Sequence, residues 1–145
     1  MSKKYQHLWK TIKNHCKGSP KKSLNKYYRR LLAKRRKWLK IYEINISAEE
    51  LDNLIIKAIG SECPFCNREI TVKSGNDSIS LDRMIPESRN GDNTRDNLMF
   101  VCKRCNKRKG KLTYTEYKTL LNFLDNNSKE LKKYVLRQLS ANTYF

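Results

Sequence analysis

The first 42 residues contain no aspartate or glutamate, although the whole chain of 145 residues has 14 of them. The same segment carries 15 of the 32 lysines and arginines, so most of the net charge of +18 lies in it. An excess of positive charge on this scale favours binding to a polyanion and makes that binding strongly dependent on salt. DNA, RNA and an anionic membrane surface are the polyanions that the charge alone leaves open.

Long apolar segments are also absent. No run of 18 apolar residues occurs, which excludes a membrane-spanning helix, and the N-terminal residues lead into no apolar stretch of the kind that secretory signals contain. We therefore expect an intracellular, cytoplasmic protein whose thiols stay reduced. Five cysteines in that compartment favour metal ligation over disulfide bonds.

We call residues 1–42 the basic arm. Its second half has apolar residues at the three-, four- and seven-residue spacing of one helix face, which predicts a helix from about Leu24 to Ile41. These apolar residues are Leu24, Tyr28, Leu31, Trp38 and Tyr42. A solvated helix packed on the core would explain the apolar face, but it needs no such excess of bases. We expect five side chains to contact nucleic-acid phosphates, namely Arg29, Arg30, Lys34, Arg36 and Lys37. A membrane surface is a weaker interpretation, because the aromatic residues have the spacing of core anchors.

Residues 43–145 have the composition of an ordinary globular sequence and form the second predicted domain. Ser47 followed by Glu50, and Thr113 followed by Glu116, have the form of capping boxes that begin helices. A last helix is expected to begin near Ser128. Two β-prone segments lie between these helices, at residues 79–81 and 97–101.

Four of the five cysteines form two C-x-x-C knuckles. Cys63 and Cys66 make the first, Cys102 and Cys105 make the second, and 35 residues lie between the two knuckles. Two such knuckles supply the four thiolates that Zn²⁺ favours in structural sites, whereas a redox pair or four unrelated buried thiols would not need this arrangement. All four ligand positions are filled, so we expect a structural zinc closed to substrate. Cys16 has no partner and is expected to be a free thiol without a role.

Polar side chains with metal-binding potential lie between and after the knuckles. Asp82 ends a β-prone segment, and Asn106 directly follows a predicted zinc ligand at the start of a helix. We expect the zinc site to bring these two side chains together as oxygen ligands of one divalent cation. Such a sparse ligand set suits Mg²⁺ or Mn²⁺. Alone, each residue could equally be a turn residue or a helix cap.

The order of these motifs resembles the HNH (ββα-metal) endonucleases. The resemblance is carried by D-x-x-x-P from Asp82, G-D-N from Gly91, D-N-L from Asp96 and C-x-x-C-N-x-x-K-G from Cys102, and it covers about residues 43–124. More narrowly, the sequence is similar to phage-type members with zinc knuckles that have L-D-R at the first motif, which implies a bacterial or phage-infected host cell. The implied fold is α+β: a ββα-metal core held together by zinc, with the basic helical arm before it and helices after it.

The resemblance also implies roles for individual residues. Asp82 and Asn106 would hold the catalytic Mg²⁺ or Mn²⁺, and Asn97 would brace the loop and the catalytic residue without touching substrate. Lys109 would face a phosphate. These implications describe an endonuclease that hydrolyses phosphodiester bonds in double-stranded DNA, as a monomer or a homodimer.

The position after Asp82 departs from the family pattern. Most HNH enzymes have a histidine there as general base, and this chain has Arg83, which stays protonated and cannot take that role. Arg83 is suited to binding the scissile phosphate and balancing its charge. The general base is left open among His7, His15, a tyrosine such as Tyr27 or Tyr28, Glu87, and a hydroxide on the metal ion. The alternative function is a zinc-containing nucleic-acid-binding protein that has lost cleavage.

Overall fold

The computed structural model describes residues 5–42 and 45–141, and it combines helices with one antiparallel strand pair. Three helices come first: α1 (Gln6–His15), α2 (Lys21–Tyr42) and α3 (Ala48–Ala58). The strands β1 (Ile79–Arg83) and β2 (Leu98–Cys102) follow, with α4 (Lys103–Lys109) directly after β2. The chain continues with α5 (Tyr114–Asp125) and α6 (Lys129–Ser140). The α+β fold class predicted from the sequence is confirmed.

The helix boundaries follow the capping signals. Ser47 accepts a hydrogen bond from the Glu50 amide, and Thr113 and Glu116 form a complete capping box. Ser128 caps α6 in the same way through the Leu131 amide. The predicted helix of the basic arm is present and somewhat longer than expected, because it begins directly after Pro20.

Helix α1 was not predicted from the sequence. Only two of its residues, Leu8 and Ile12, are fully buried, and their four-residue separation is the one apolar signal in the helix. Trp9 contacts Tyr28 of α2 edge-on, with ring centroids 5.3 Å apart. Because lysines lie between and beside these apolar residues, the sequence alone does not show a clear helical apolar face here.

The basic arm packs on the rest of the protein through α2. Trp38 lies edge-on against Phe100 of β2 at a centroid distance of 5.4 Å, and Lys34 donates hydrogen bonds to Ser78 Oγ and the Ile79 carbonyl. One cluster of buried apolar side chains extends from α1 and α2 to the strands and the later helices. The boundary predicted after residue 42 lies beside residues 43–44, which are outside the described residues. The division into arm and nuclease domain stays a prediction about function, because the described parts share one core.

Arg35 occupies a position on the buried face of α2 between Leu31 and Trp38. Its guanidinium forms a two-point ion pair with Asp52 of α3, and both side chains are almost completely buried. The hydrogen bonds from Arg35 to Asp52 keep the pKa of the guanidinium above its usual value. The pair therefore fixes α2 against α3 by a specific polar contact within the apolar interface.

Strands β1 and β2 pair so that Ser80 is opposite Val101 and Asp82 is opposite Met99. Alternate residues of a strand point to opposite faces, so Ser80 and Asp82 share one face and Ile79 and Leu81 share the other. The order β1, β2, α4 forms a ββα element, and α4 packs against the face that carries Ser80 and Asp82. No helix in residues 5–42 and 45–141 is long and apolar enough to cross a membrane.

Candidate functional site

The four knuckle cysteines lie together. The sulfur atoms of Cys63, Cys66, Cys102 and Cys105 are all within 4.8 Å of one another, and three of the four residues are buried. Cys66 Sγ and Cys102 Sγ are 3.7 Å apart. Four sulfurs at the usual Zn–S distance of about 2.3 Å from one tetrahedral zinc would be about 3.8 Å apart. The cluster can therefore hold a metal ion, and its size and donor type fit zinc.

The chain reaches this cluster through two differently built segments. In the first knuckle, the Cys63 amide donates to the Arg68 carbonyl, and Asn67 adopts a positive φ of 61° that closes the turn. In the second, β2 delivers Cys102, and α4 begins one residue later, so Cys105 lies on the first turn of the helix. Each geometry aims two sulfur atoms in one direction, as C-x-x-C spacing predicts.

The thiol groups of the cluster perturb one another. Hydrogen bonds with Cys102 and Cys105 lower the pKa of Cys63, whereas the hydrogen bond with Cys102 raises the pKa of Cys105. Negative charge is thus favoured on one sulfur and opposed on its neighbour, because adjacent thiolates repel. A divalent cation would offset that repulsion and allow all four groups to ionise.

Asp82 forms a nearly buried ion pair with Lys109. The Lys109 ammonium is 3.0 Å from Asp82 Oδ2, and the Lys109 side chain has no exposed surface. The ammonium also donates to the Arg83 carbonyl at 2.8 Å, and Asp82 Oδ1 accepts from the Arg83 amide. Burial raises the pKa of Asp82, and the charge of Lys109 opposes that rise. Lys109 is therefore placed to hold the Asp82 carboxylate, and its buried ammonium is not available to a phosphate at the surface.

Asn106 lies one turn before Lys109 on α4 and faces the same strand. Its Nδ2 donates to Ser80 Oγ at 2.6 Å, while Lys109 contacts Asp82 two residues further along β1. The two contacts place Asn106 and Asp82 on facing surfaces of α4 and β1. The hydrogen bond of Asn106 to Ser80 uses its amide nitrogen and leaves its amide oxygen out of that contact, and Asp82 Oδ2 has the ion pair but no hydrogen bond of regular geometry. Both oxygens thus retain capacity for a cation, which fits a sparse Mg²⁺ or Mn²⁺ site.

Asn97 connects the two ends of the loop between the strands. Its Oδ1 accepts from the Ile85 amide at 2.8 Å, and its Nδ2 donates to the carbonyls of Ile85 and Asp92. Its own carbonyl accepts from the Met84 amide. These bonds give Asn97 bracing contacts across the loop, with its side-chain amide committed to backbone groups.

Gly91 permits a very close approach within the same loop. A Cβ atom at this position would lie 1.7 Å from the Ile85 carbonyl oxygen. No side chain can therefore be placed at residue 91 without a shift of the backbone. The Gly91 amide also donates to the Pro86 carbonyl at 2.9 Å. The glycine of the G-D-N motif therefore has a steric explanation that can be stated from the structure.

Arg83 contacts different elements from Asp82. Its Nε donates to Asn93 Oδ1 at 2.8 Å, and its guanidinium lies over the ring of Tyr42 at 5.1 Å from the centroid. Glu87 is 3.8 Å from the Arg83 terminal nitrogen and is itself well exposed. Arg83 and Asn93 belong to the sequence motifs described above. Tyr42 was predicted only to pack on the core as part of the apolar face of the arm helix. Its contact depends on α2 crossing the end of β1, which no local pattern indicates.

The structure separates the candidates for the general base. His7 lies 3.4 Å from Asp52, and His15 is hydrogen-bonded to Thr71, so each has a structural partner. Tyr28 packs on Trp9, and Tyr27 is half-buried against the core. Of the five residues proposed from the sequence, only Glu87 contacts Arg83.

The five predicted phosphate contacts of the basic arm divide into two groups on α2. Arg29 and Arg36 are exposed and lie outside the cavity between α2 and β1. The other three line that cavity, namely Arg30, Lys34 and Lys37. Cys16 is buried in the core, away from the four-cysteine cluster, and burial raises the pKa of its thiol.

These features define a ββα element with a four-cysteine cluster that could hold a metal ion and with Asp82 and Asn106 on facing surfaces of β1 and α4. Residues 63–112 match the HNH family model, described as HNH endonuclease. The resemblance identified from the motifs is confirmed over these residues, and it indicates a nuclease-type function. No curated protein and no solved structure matches the chain.

Proposed function

We propose that this protein is an HNH-type endonuclease that hydrolyses phosphodiester bonds in double-stranded DNA. The observation that carries the proposal is the facing arrangement of β1 and α4, in which Asn106 contacts Ser80 while Lys109 holds Asp82. This arrangement places one carboxylate residue and one amide residue on facing surfaces of β1 and α4. Oxygen ligands of these types suit Mg²⁺ and Mn²⁺.

Two metal sites with different roles follow from this proposal. The four cysteines would hold a structural zinc. The zinc would fix the segment between α3 and β1, which carries Cys63 and Cys66, to the start of α4. Asp82 and Asn106 would hold Mg²⁺ or Mn²⁺, and such an ion polarises a phosphate oxygen and stabilises the leaving oxygen. Lys109 would orient Asp82, and Asn97 would keep the loop after Arg83 in place.

Arg83 would bind the scissile phosphate. Its Nε is occupied by Asn93, so the two terminal nitrogens are the groups that could donate to phosphate oxygens. Glu87 faces one of them at 3.8 Å and is the carboxylate best placed to accept a proton from water beside the phosphate. The exposed bases of α2 would hold flanking phosphates, which gives affinity with little sequence information.

A second function is favoured by the absence of histidine after Asp82. A zinc-containing DNA-binding protein without cleavage would retain the four cysteines and the basic arm, and it would have no requirement for a general base. Cleavage that depends on both Asp82 and Asn106 would distinguish the two proposals, because in a pure binding protein these side chains would have only their structural contacts with Lys109 and Ser80.

Nicking of supercoiled plasmid by zinc-loaded protein tests the enzyme. We expect nicks with added Mg²⁺ or Mn²⁺ and none without them. Asp82→Ala and Asn106→Ala should abolish nicking and leave DNA binding nearly unchanged. Urea denaturation of each variant establishes that it is folded, because Asp82→Ala also leaves the buried Lys109 ammonium without its partner. Asp96→Ala is a matched control, because it removes an exposed carboxylate of the same loop. Wild-type protein that binds DNA but never nicks it with either ion would leave the binding function.

A further inference from the structure

A cavity of about 380 Å³ lies between α2, the start of β1 and the first residue of α4. Four positively charged side chains from two helices line it, namely Arg30, Lys34, Lys37 and Lys103. Serine hydroxyls complete much of the polar wall, including those of Ser78 and Ser80. No carboxylate lines the cavity among the described residues, so the four charges have no negative partner there.

Lys34 and Arg30 both have polar groups that are buried in the cavity wall at a cost to stability. Burial, together with the nearby charges of Arg30 and Lys103, lowers the pKa of Lys34 to about 8. Arg30 has a buried terminal nitrogen, Nη1, with no hydrogen-bond partner. Buried charge without a counter-charge and a buried donor without an acceptor both cost stability. An anion with several acceptor oxygens would relieve both costs at once.

The cavity adjoins the candidate catalytic site. Ser80 lines the cavity and accepts the hydrogen bond from Asn106, and Asp82 lies two residues further along β1. Two residues of a strand extend about 6.6 Å. A backbone phosphate in the cavity would therefore lie close to one at Asp82.

We infer that this cavity is a phosphate-binding subsite for a backbone phosphate of the nucleic acid, flanking the phosphate that is cleaved. The inference rests on the proposed function, because that function makes DNA the substrate. It assigns one phosphate of the DNA backbone to a defined location on the protein. Of the exposed bases used as a comparison, Arg36 lines a separate and smaller cavity of about 200 Å³. A free phosphate ion has the same chemistry, so the experiment must distinguish the two sources.

Two double variants of α2 test the subsite. Arg30→Gln with Lys37→Gln removes two cavity charges seven residues apart, and Arg29→Gln with Arg36→Gln removes two charges with the same spacing outside the cavity. Binding of a labelled DNA duplex is measured over a range of salt in EDTA without Mg²⁺ or Mn²⁺, so the DNA stays intact. Urea denaturation of each variant establishes that it is folded.

The cavity variant should lose about tenfold more affinity than the control variant. Its salt slope should fall by about one unit more, which corresponds to one phosphate contact. Millimolar inorganic phosphate should compete with the duplex for the protein with an intact cavity and compete less for the cavity variant. Equal losses in the two variants would overturn the subsite, because charge alone would then explain binding.

Two further outcomes separate the subsite from the proposed function. If inorganic phosphate binds in the cavity while the cavity variant keeps its affinity for the duplex, the assignment to a backbone phosphate is overturned. If the cavity variant loses duplex affinity but wild-type protein nicks no DNA with Mg²⁺ or Mn²⁺, the subsite stands and the endonuclease proposal fails.

Discussion

The ammonium group of Lys109 lies 3.0 Å from the carboxylate of Asp82, with the lysine side chain fully enclosed. The resemblance to the HNH family led us to expect Lys109 at a phosphate, but the helix turn that carries it faces β1. The pair places a positive charge beside the carboxylate that is proposed to bind the divalent cation. Asp82 therefore has a defined orientation before any cation arrives.

Replacing Lys109 should destabilise the folded protein. Lys109→Met leaves Asp82 nearly buried without a counter-charge, and removing one partner of a buried ion pair costs about 3 kcal/mol at the lower end of measured values. Lys107→Met is the matched control, since Lys107 is exposed on the same helix. Urea denaturation of the zinc-loaded proteins gives the two free energies of unfolding. Equal values would show that the ion pair contributes nothing to stability.

Zinc content and folding should depend on four of the five cysteines. We expect about one zinc per chain in the purified protein, and Cys63→Ala should lose both the zinc and the cooperative fold, because structural zinc contributes directly to folding. Cys16→Ala should keep the zinc, since Cys16 is buried outside the cluster. Elemental analysis and circular dichroism measure the two properties. Well-folded wild-type protein without zinc would contradict this expectation.

Gly91 should tolerate no side chain. Gly91→Ala places Cβ against the Ile85 carbonyl, so the loop must move and the hydrogen bonds of Asn97 to it should weaken. We expect destabilisation of about 2 kcal/mol, within the range for overpacked sites. Gly18→Ala is the comparison, because its Cβ meets nothing within 4 Å and only its positive φ of 86° disfavours alanine. A smaller loss for Gly91→Ala than for Gly18→Ala would disprove the steric explanation.

The sequence predicted those parts of the protein that depend on local signals. Capping residues such as Ser47 and Thr113 fixed helix starts, and C-x-x-C spacing predicted a four-cysteine cluster that the structure contains. Helix α1 escaped prediction because its apolar face consists of little more than Leu8 and Ile12.

Long-range contacts could not be predicted in the same way. Arg35 lies on the apolar face of α2, and only the position of Asp52 on α3 explains a charge there. The packing of Trp38 on Phe100, and of Tyr42 against Arg83, depends on where α2 crosses the strands. That crossing makes the basic arm part of the core, so charge-removing variants of α2 test its binding role better than deletion of residues 1–42.

DNA affinity should fall as the pH rises through about 8. The pKa of Lys34 is lowered from 10.5 to about 8, and the groups that face it across the cavity are Arg30, Lys37 and Lys103, all positive. Lys34 therefore carries a charge for DNA at pH 7 and loses it by pH 9, whereas the phosphodiesters do not titrate. Lys34→Gln should remove this part of the pH dependence, and Lys40→Gln, an exposed control, should retain it.

The same shift has the opposite effect on folding. Between pH 8 and 10.5 the unfolded chain keeps a proton on Lys34 that the folded protein has released, so the contribution of this group to stability rises with pH. Denaturation of wild type and Lys34→Gln across that range isolates the contribution. Wild-type affinity that stays constant from pH 7 to 9, relative to Lys34→Gln, would show that Lys34 does not contact the DNA.

Replacing Arg83 with histidine distinguishes a phosphate-binding group from a lost general base. Arg83→His places an imidazole where most HNH enzymes have one, but it removes the Nε hydrogen bond to Asn93 and the charge beside the proposed phosphate position. If Arg83 binds the phosphate, nicking by the variant should fall by about 10²–10³-fold, as for loss of one electrostatic donor. If position 83 has only lost the general base that other HNH enzymes have there, the variant should nick faster than wild type.

Arg89→His is the matched control, because Arg89 is exposed and pairs with Glu116 away from Arg83. We expect the fall, because Asn93 and Tyr42 hold the guanidinium in one place and leave its terminal nitrogens for phosphate. A faster Arg83→His enzyme with unchanged Arg89→His would reverse this assignment.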